Sequence, residues 1–427
     1  MQAVQKPEQT QVVWEAVTER CCGLDVHQKT VVACLLVGGL DQQPTESIRT
    51  FATTTKGLVE LRYWLVENRC SQVAIESTGI YWRPVFHVLE DSVTVLLANA
   101  YHMSQVPGRK TDLKDAQWIA RLLRWGLLRP SIIPPRPVRE LRELCRYRKK
   151  LTEHAAAEKN RIQKVLEDAN IKLSSVVSDV FGVSGRAMLG ALKQGQLTPA
   201  ETANLARGSL RKKMGQLTDA LEGHVNEHHR YLIQEQLAHL DYLETLITDL
   251  NQSITEKAKP YAHEVSLMCT TPGVDTVTAQ HILAEIGADI TLFPSADHLA
   301  SWVGICPGNN ESAGKRRSGQ TARGNQWLKT LLVQCAHAAS RAKGTYLKAY
   351  YHRLAARRGK KRAAIAVAHK QLTMIYYELS NDVPYKELGE NFFDRLNQRR
   401  LQKNLVRRLE GLGFRVELQP EGNLQTS

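Results

Sequence analysis

Acidic residues lie in this chain where a folded protein would ordinarily place apolar ones. Asp25 lies within the apolar stretch Cys22–Val37, and Glu76 directly follows the apolar run Val73–Ile75. A charged side chain in a strand is costly unless a partner or a cation compensates it. Asp112 and Asp115 are three residues apart at the start of a predicted helix, so both carboxylates share one helix face. We therefore expect an α/β unit that gathers four carboxylates.

Residues 20 to about 130 alternate between strand and helix patterns. Strands are predicted within Cys22–Val37, where a pair meets at His27-Gln28-Lys29, and at Ser47–Thr53, Gln72–Ile75 and Val93–Ala98. Helices are predicted at Lys56–Glu67, Tyr81–Glu90 and Thr111–Trp125. The order β-β-β-α-β-α-β-α is that of an α/β ribonuclease-H-like fold, although order alone does not exclude other α/β folds.

A proline-rich segment, residues 130–137, ends this pattern and indicates a domain boundary. Long helices are then predicted at Val138–Ala169 and Arg230–Lys259, the first with a heavily charged exterior. The second carries an apolar seam with coiled-coil spacing: Leu240, Leu243, Ile247, Leu250 and Ile254. Either a helical hairpin within the chain or a contact between subunits would use this seam. Between the two helices, residues 172–222 form a polar helical insert.

The C-terminal part is predicted to be mainly α. Residues 271–279 resemble a helix-hairpin-helix turn, whose backbone N–H groups would contact a nucleic-acid phosphate. An amphipathic helix is predicted at Trp327–Lys343, with inward-facing residues Leu328, Leu331, Leu332, Cys335 and Ala338. Between these features, Ser312 lies in a loop with the cations Lys315, Arg316 and Arg317, followed by Arg323.

The composition favours a polyanionic partner. There are 57 Lys and Arg residues against 43 Asp and Glu residues, and the net charge is +14. Nucleic acid is preferred over a membrane, because no run of about 18 apolar residues and no secretory signal pattern occurs. The eight cysteines include no C-x-x-C pair and indicate neither a zinc site nor a disulfide framework. We expect a cytoplasmic, nucleoid-associated bacterial protein.

The four carboxylates and the serine predict phosphoryl transfer. Carboxylates that share a site repel each other unless a hard cation such as Mg²⁺ or Mn²⁺ compensates them. Two such ions can clamp the oxygens of a transferring phosphoryl group. Ser312 is a candidate nucleophile, and the neighbouring cations would neutralise the phosphate. The simpler alternatives are a helix-dipole role for Asp112 and Asp115, a plain phosphate-binding loop, or Ser318 instead of Ser312.

Several motifs together resemble one known family. They are Gly23-Leu24-Asp25-Val26-His27, Ile75-Glu76-Ser77-Thr78-Gly79, Lys110-Thr111-Asp112-Leu113-Lys114-Asp115-Ala116, Pro272-Gly273-Val274, Gly304-Ile305-Cys306-Pro307, Glu311-Ser312 and Arg323-Gly324-Asn325. These motifs look like those of the DEDD transposases of insertion-sequence family one-ten. Chain length and the helical insert are most similar to the eleven-eleven subgroup. The resemblance spans roughly residues 20–390.

The resemblance implies a RuvC-like domain whose DEDD tetrad and a second domain's catalytic serine form one composite site. It implies an RNA-guided DNA recombinase. An element-encoded guide RNA, called a bridge RNA or seekRNA, would pair with donor and target DNA, and a phosphoserine would link protein to DNA. Strand exchange further implies a homo-oligomer, either a dimer or a tetramer.

The expected division of the chain has five parts. They are an N-terminal leader (1–19), the RuvC-like DEDD domain (20–130), the proline linker with coiled-coil helices and insert (131–262), the serine-bearing domain (263–390) and a basic tail (391–427).

Two other functions stay open. In a Holliday-junction resolvase or similar nuclease, metal-activated water would replace the serine. A non-catalytic nucleic-acid-binding protein would instead use the basic C-terminal region beside a degenerate acidic site.

Overall fold

The computed structural model describes residues 15–77, 79–99, 103, 106, 115–306, 310–312, 315–318, 321, 324–396 and 398–418. For residues 310–312, 315–318, 400 and 401 it describes only the backbone. The chain forms two compact units, Met1–Ile133 and Pro134–Ser427.

The first unit contains a mixed five-stranded sheet in the order β3-β2-β1-β4-β5. Its elements are β1 (Arg20–Val26), β2 (Thr30–Val37), β3 (Thr45–Ala52), α1 (Thr55–Glu67), β4 (Gln72–Glu76), α2 (Trp82–Leu89), β5 (Thr94–Ala98) and α3 (Asp115–Arg124). Strand β2 is antiparallel to β1 and β3, whereas β4 is parallel to β1 and β5. The predicted order of strands and helices is confirmed for the described residues.

The two faces of the sheet bury alternate residues of each strand, as the pleat requires. Leu24 and Ile75 lie in an apolar cluster with Leu61 of α1 and Leu89 of α2. Cys21, Cys34, Ala74 and Ala98 lie on the opposite face, in a cluster with Ile119 of α3. The first face is therefore covered by α1 and α2, and the second by α3.

Helix α3 is held against the sheet at both ends. At Gly23, a Cβ atom would stand only 2.3 Å from the carbonyl oxygen of Ala116 and from the backbone nitrogen of Ala120. At the other end, the buried Arg124 donates hydrogen bonds to five backbone carbonyl groups, those of Thr18, Glu19, Gly38, Gly39 and Gln42. These contacts fix α3 along β1.

The second unit begins with two long helices and the short helices between them. They are α4 (Arg136–Asp168), α5 (Leu173–Val176), α6 (Val183–Gln194), α7 (Pro199–Ala203), a 3₁₀ helix (Gly208–Lys213), α8 (Met214–Leu221) and α9 (Glu227–Ala258). Helices α4 and α9 run antiparallel, because Lys257 pairs with Glu140 at 2.8 Å near one end and His229 contacts Asp168 at 2.9 Å near the other.

The predicted apolar seam of α9 packs within the chain. Leu240 and Leu243 are buried in one apolar cluster, against which Ile247 and Leu250 also pack, and Ile254 is buried as well. That cluster also contains residues of α4 and of the insert, so the helical-hairpin alternative accounts for the seam. A second use of the seam between subunits stays a prediction.

The remaining elements surround one long helix. They are α10 (Ala262–Cys269), α11 (Thr276–Ile286), α12 (Ala296–Val303), β6 (Asn310–Ser312), β7 (Lys315–Ser318), α13 (Gln326–Ala339), α14 (Tyr346–Arg358), α15 (Lys360–Asn381), α16 (Phe392–Leu396) and α17 (Gln398–Glu410). Helix α15 packs against α10, α12, α13 and α14. None of the helices in the described part of the chain is long and apolar enough to cross a membrane.

Helix α13 corrects one prediction. It ends at Ala339 rather than at Lys343, and Ala338 is exposed, whereas Ala336 and Ala339 are buried. The buried face is therefore rotated slightly from the predicted one, because α11 and α15 contact α13 on that side.

Candidate functional site

Two of the predicted carboxylates lie on neighbouring parallel strands. The register of β1 and β4 places Leu24 beside Ile75, so Asp25 and Glu76 are the next residue on each strand. Because side chains alternate along a strand, both belong to the face that carries Cys21 and Ala74, the face covered by α3. Both are only partly buried.

A third carboxylate begins α3. Asp115 is exposed, and the carbonyl oxygen of the next residue, Ala116, approaches the α-carbon of Gly23. The start of α3 therefore lies beside β1, two residues before Asp25. Asp112 lies outside the described residues. Three of the four predicted ligands thus lie at one end of the sheet, where β1 and β4 have their carboxyl ends.

Among the described residues, the carboxylates at this end of the sheet do not form a closed cluster. Within the described ranges, no three His, Cys, Asp or Glu side chains are close enough together to hold a metal ion. Asp25 instead contacts the largely exposed ring of His27, with 3.0 Å between Oδ2 and Nε2. Even so, partly exposed carboxylate oxygens on adjacent strands are the donors that Mg²⁺ and Mn²⁺ prefer. The donor set therefore fits a hard divalent cation.

Ser312 lies in a short β-hairpin rather than in an irregular loop. Strands β6 and β7 are antiparallel, with Ser312 beside Lys315, Glu311 beside Arg316 and Asn310 beside Ser318. The backbone therefore brings the serine and the basic segment onto adjacent strands. The prediction missed these strands because three or four residues are too few for an alternating pattern to show. Arg323 lies outside the described residues.

The two ends of the segment that carries the hairpin are tied together. Gly324 follows the segment, and a Cβ atom there would stand 2.5 Å from the backbone nitrogen of Gly304, which precedes it. The backbone nitrogen of Asn325 donates to the carbonyl oxygen of Trp302 at 3.2 Å. Thr321 lies within the segment, and its Oγ1 atom accepts a hydrogen bond from Lys329 of α13 at 2.5 Å. The glycine at 324 is required by this close approach.

A buried carboxylate, that of Glu285, holds the end of the segment that carries the hairpin. The Nδ2 atom of Asn325 donates to Glu285 Oε2 at 2.7 Å, while the side-chain oxygen of Asn325 caps α13. Glu285 also accepts two hydrogen bonds from Arg146, at 2.7 and 2.8 Å. Arg142 donates to the backbone carbonyl groups of Ala284 and Glu285. One carboxylate therefore joins α4, α11 and α13 at the root of the serine hairpin.

Electrostatics keep Glu285 ionised in this buried position. Burial by itself would raise its pKa, but the hydrogen bonds and charge of Arg146, the amide of Asn325 and the charge of Arg142 lower the pKa below the ordinary value. The sequence predicts a heavily charged exterior for this helix and does not distinguish its arginines from one another. In the structure Arg142 and Arg146 turn toward α11, where both pair with Glu285. Nothing local in the sequence marks this pairing.

The predicted helix-hairpin-helix turn is held by other parts of the protein. The backbone at Gly273 packs against Cys335 and Ala339 of α13. Asp275 caps α11, and its carboxylate accepts a hydrogen bond from the backbone nitrogen of Thr278 at 2.8 Å. These contacts fix the backbone of the turn. The expected contact between its backbone N–H groups and a nucleic-acid phosphate stays a prediction.

Comparison with known proteins identifies the family. A family model for the DEDD transposase of IS110, described as transposase, matches residues 22–171. A second model, described as transposase of the IS116/IS110/IS902 family, matches residues 265–352. The chain belongs to the IS110 family of transposases. It is thus a DNA transposase or recombinase, and the matched ranges contain all the predicted catalytic residues.

Individual relatives agree with this family. The pilin gene-inverting protein of Moraxella bovis is 23% identical over 376 residues, which cover 85% of this chain and 96% of that protein. The probable family 20 transposase of Pseudomonas aeruginosa is 26% identical over 322 residues, 74% of this chain and 85% of that protein. The transposase for insertion sequence element IS1111A of Coxiella burnetii is 34% identical over 123 residues, 27% and 32% respectively.

Proposed function

We propose that this transposase cuts and rejoins DNA through a serine nucleophile and a metal-binding DEDD site. The observation that carries the proposal is the placement of Asp25 and Glu76 on adjacent parallel strands, with Asp115 at the start of the covering helix. With Asp112, these residues would hold Mg²⁺ or Mn²⁺. The sheet would then be of the ribonuclease-H-like, RuvC-like kind, with residues 20–130 supplying carboxylates and residues 263–390 supplying the serine.

In the proposed reaction the Oγ–H bond of Ser312 breaks as its proton passes to a base, and Oγ forms a bond to phosphorus. The bond between phosphorus and one bridging DNA oxygen breaks, and that oxygen takes up a proton and leaves as a hydroxyl group. A hydroxyl group of another DNA end later attacks the phosphoserine and restores Ser312. The bound cation would supply positive charge that stabilises the phosphoryl oxygens.

The basic residues of the hairpin segment have a second role in this proposal. Lys315 is paired in register with Ser312, and Arg316 with Glu311. We assign to Lys315, Arg316, Arg317 and Arg323 the neutralisation of charge on the scissile phosphate. The end of the segment is held in place at Gly324 and Asn325. This supports the role, because a preorganised site need not rearrange during the reaction.

We further propose that donor and target DNA are chosen through an element-encoded guide RNA, and that the active form is a homo-oligomer. The resemblance to the DEDD transposases supports the guide RNA, and the excess of 14 positive charges suits two nucleic-acid partners. The relative named as a pilin gene-inverting protein supports a reaction that rejoins as well as cuts.

A suicide DNA substrate tests the serine. The full-length protein, together with RNA that co-purifies with it, is incubated with Mg²⁺ and DNA nicked near the expected cleavage site. Any protein–DNA adduct is then mapped by peptide analysis. Wild type and Ser318→Ala should form an adduct at Ser312, and Ser312→Ala should form none while still binding DNA. An adduct at Ser318 would move the nucleophile, and efficient cleavage without any adduct would favour a resolvase-like nuclease that uses water.

A further inference from the structure

One aromatic residue at the root of the serine hairpin is surrounded by cations. Trp327 lies in the first turn of α13, two residues after Asn325. Three cations of α4 lie over its ring, with Arg146, Lys149 and Lys150 at 5.3, 4.9 and 5.4 Å from the ring centroid. Cations at such distances are attracted to the face of an indole, but they also repel each other.

The charges of this group are not balanced. Arg146 is paired with Glu285, and Lys150 is paired with the exposed Glu153 at 2.8 Å. Among the ion pairs of the described residues, none includes Lys149. Burial lowers the pKa of Lys149 below its ordinary value, whereas a nearby anion would stabilise its charged form. Lys149 therefore places a positive charge beside Trp327 that has no ion-pair partner among the described residues.

A buried histidine faces the same place. His281 of α11 lines a cavity of about 20 Å³ together with Arg146, Lys149, Trp327 and Glu285. It is 8% exposed, and its Nε2 atom is buried with no hydrogen-bond partner among the described residues. Burial and the charge of Arg148 lower the pKa of His281 to about 4, so the ring is neutral at pH 7 and can donate from Nε2.

The size of the cavity and the donors in its lining suit a phosphate oxygen, and Cys145 and Leu331 supply the apolar remainder of the lining. A space of this volume admits one group the size of a water molecule, which is also the size of a non-bridging phosphate oxygen. His281 Nε2–H and the cations beside it would all donate to that oxygen. The carboxylate of Glu285 also lines the cavity, but Arg146 and Arg142 already neutralise it.

We propose that Lys149, His281 and Trp327 form a binding site for one unpaired nucleotide of the DNA strand that the serine cleaves. The phosphate would lie at Lys149 and His281, and the base would stack on the part of the half-buried Trp327 ring that the α4 cations leave open. Aromatic stacking requires an unpaired base, and the combination of cation and aromatic ring is typical of single-strand recognition. The location favours DNA, because Trp327 follows the hairpin that carries Ser312. This inference rests on the proposed function.

Binding measurements on the full-length protein test the site. Fluorescently labelled single-stranded DNA, duplex DNA and RNA of the same sequence are titrated in EDTA, which prevents cleavage. The variants are Lys149→Gln, Lys149→Arg and Trp327→Leu. Lys159→Gln is the matched control, because Lys159 also lies on α4 over an aromatic ring, Phe181 at 5.6 Å, but is paired with Glu244 at 3.1 Å.

We expect Trp327→Leu to weaken single-stranded DNA binding by about 10-fold or more, the usual effect of losing one stacked base. Lys149→Gln should weaken it through the loss of one phosphate contact. Lys149→Gln should also lower the salt slope by about 0.7, the value for one phosphate on a single strand. Lys149→Arg should restore the slope, and Lys159→Gln should bind within about 2-fold of wild type. DNA that contains 5-bromodeoxyuridine should crosslink to Trp327 on irradiation.

The outcomes separate the two proposals. If the wild type binds DNA and forms the serine adduct, but Lys149→Gln binds single-stranded DNA as tightly as the wild type, this site is overturned and the proposed function is not. A loss confined to RNA binding would also overturn it, and would assign the residues to the guide RNA. Failure of the wild type to cleave any DNA would overturn the proposed function, and this site with it.

Discussion

Arg146 and Glu285, 139 residues apart in the chain, form a bidentate ion pair in which both N–O distances are below 3 Å. The carboxylate is buried, and it also accepts a hydrogen bond from the amide of Asn325, the residue that caps α13, and lies 3.7 Å from Arg142 Nε. The pair therefore couples the long helix α4 to the base of the segment that carries Ser312. Its loss would change stability and the position of the serine together.

Glu285→Gln should lower the free energy of unfolding by about 3 kcal/mol, the range for breaking one partner of a buried pair. Because the pKa of Glu285 is lowered in the folded state, its contribution is present above the unfolded value of 4.5 and is lost as pH falls through the folded pKa. Urea unfolding at pH 7 and at pH 4 measures both effects. The control variant Glu153→Gln removes the carboxylate of the exposed pair with Lys150 and should lower the free energy of unfolding by less than about 0.5 kcal/mol. Equal losses in the two variants would contradict this assignment.

Glu378 should make stability depend on pH in the opposite sense. This buried carboxyl accepts a hydrogen bond from Thr271 at 2.5 Å. Burial raises its pKa to about 7, although that hydrogen bond opposes the shift. The folded state therefore keeps a proton that the unfolded state releases, so the stabilisation is complete below pH 4.5 and is lost as pH rises to about 7. From the size of the shift, the loss is about 3 kcal/mol.

Glu378→Gln tests this dependence, because the amide stays neutral at every pH. The variant should match wild type near pH 5 and exceed it by up to about 3 kcal/mol at pH 8 in chemical unfolding. The exposed Glu256→Gln serves as the control and should follow the wild-type curve. A difference between Glu378→Gln and wild type that does not change with pH would refute the raised pKa.

Asp25→Asn and Glu76→Gln should abolish cleavage while the fold is retained. Substitution of a residue that only hydrogen-bonds to a metal ligand typically lowers activity by about 10- to 100-fold. Loss of a ligand itself should therefore lower the cleavage rate by more than roughly 100-fold. MgCl₂ or MnCl₂ should raise the thermal midpoint of wild type but not of the variants. In EDTA the variants should be at least as stable as wild type, because like-charge repulsion is relieved. The exposed Asp41→Asn should behave as wild type; cleavage at the wild-type rate by Asp25→Asn would rule out the metal site.

Gly23→Ala should move α3 away from β1. The new methyl group would stand 2.3 Å from backbone atoms of Ala116 and Ala120, and such overpacking typically costs about 1–3 kcal/mol. Since α3 begins at Asp115, cleavage should fall as well. The control is Gly39→Ala, whose methyl group would meet only the Gln42 side chain, at 3.8 Å. Unfolding and cleavage assays on both variants measure the effect, and wild-type values for Gly23→Ala would contradict the close approach.

Local pattern was sufficient for the order of elements and for the acidic edge. Alternating and helical apolar periods report which face of each element is buried, and they predicted the strands of the first unit, the long helices and the seam of α9. The apolar runs around Asp25 and Glu76 also show that each carboxylate belongs to a strand. That β1 and β4 are parallel neighbours, with Asp25 and Glu76 at matching positions, is a property of the sheet alone.

Long-range pairing was decided only by the tertiary structure. Arg146 and Arg142 have the same local pattern as solvent-exposed arginines of a charged helix, and only the packing of α4 on α11 gives them Glu285 as a partner. The same is true of Arg124, which is buried among backbone carbonyl groups, and of the pairing of β6, which ends at Ser312, with β7. A periodic pattern encodes which side of an element loses water. The partner that a polar group meets depends on how separate elements pack, and residues far apart in the chain carry no local trace of that contact.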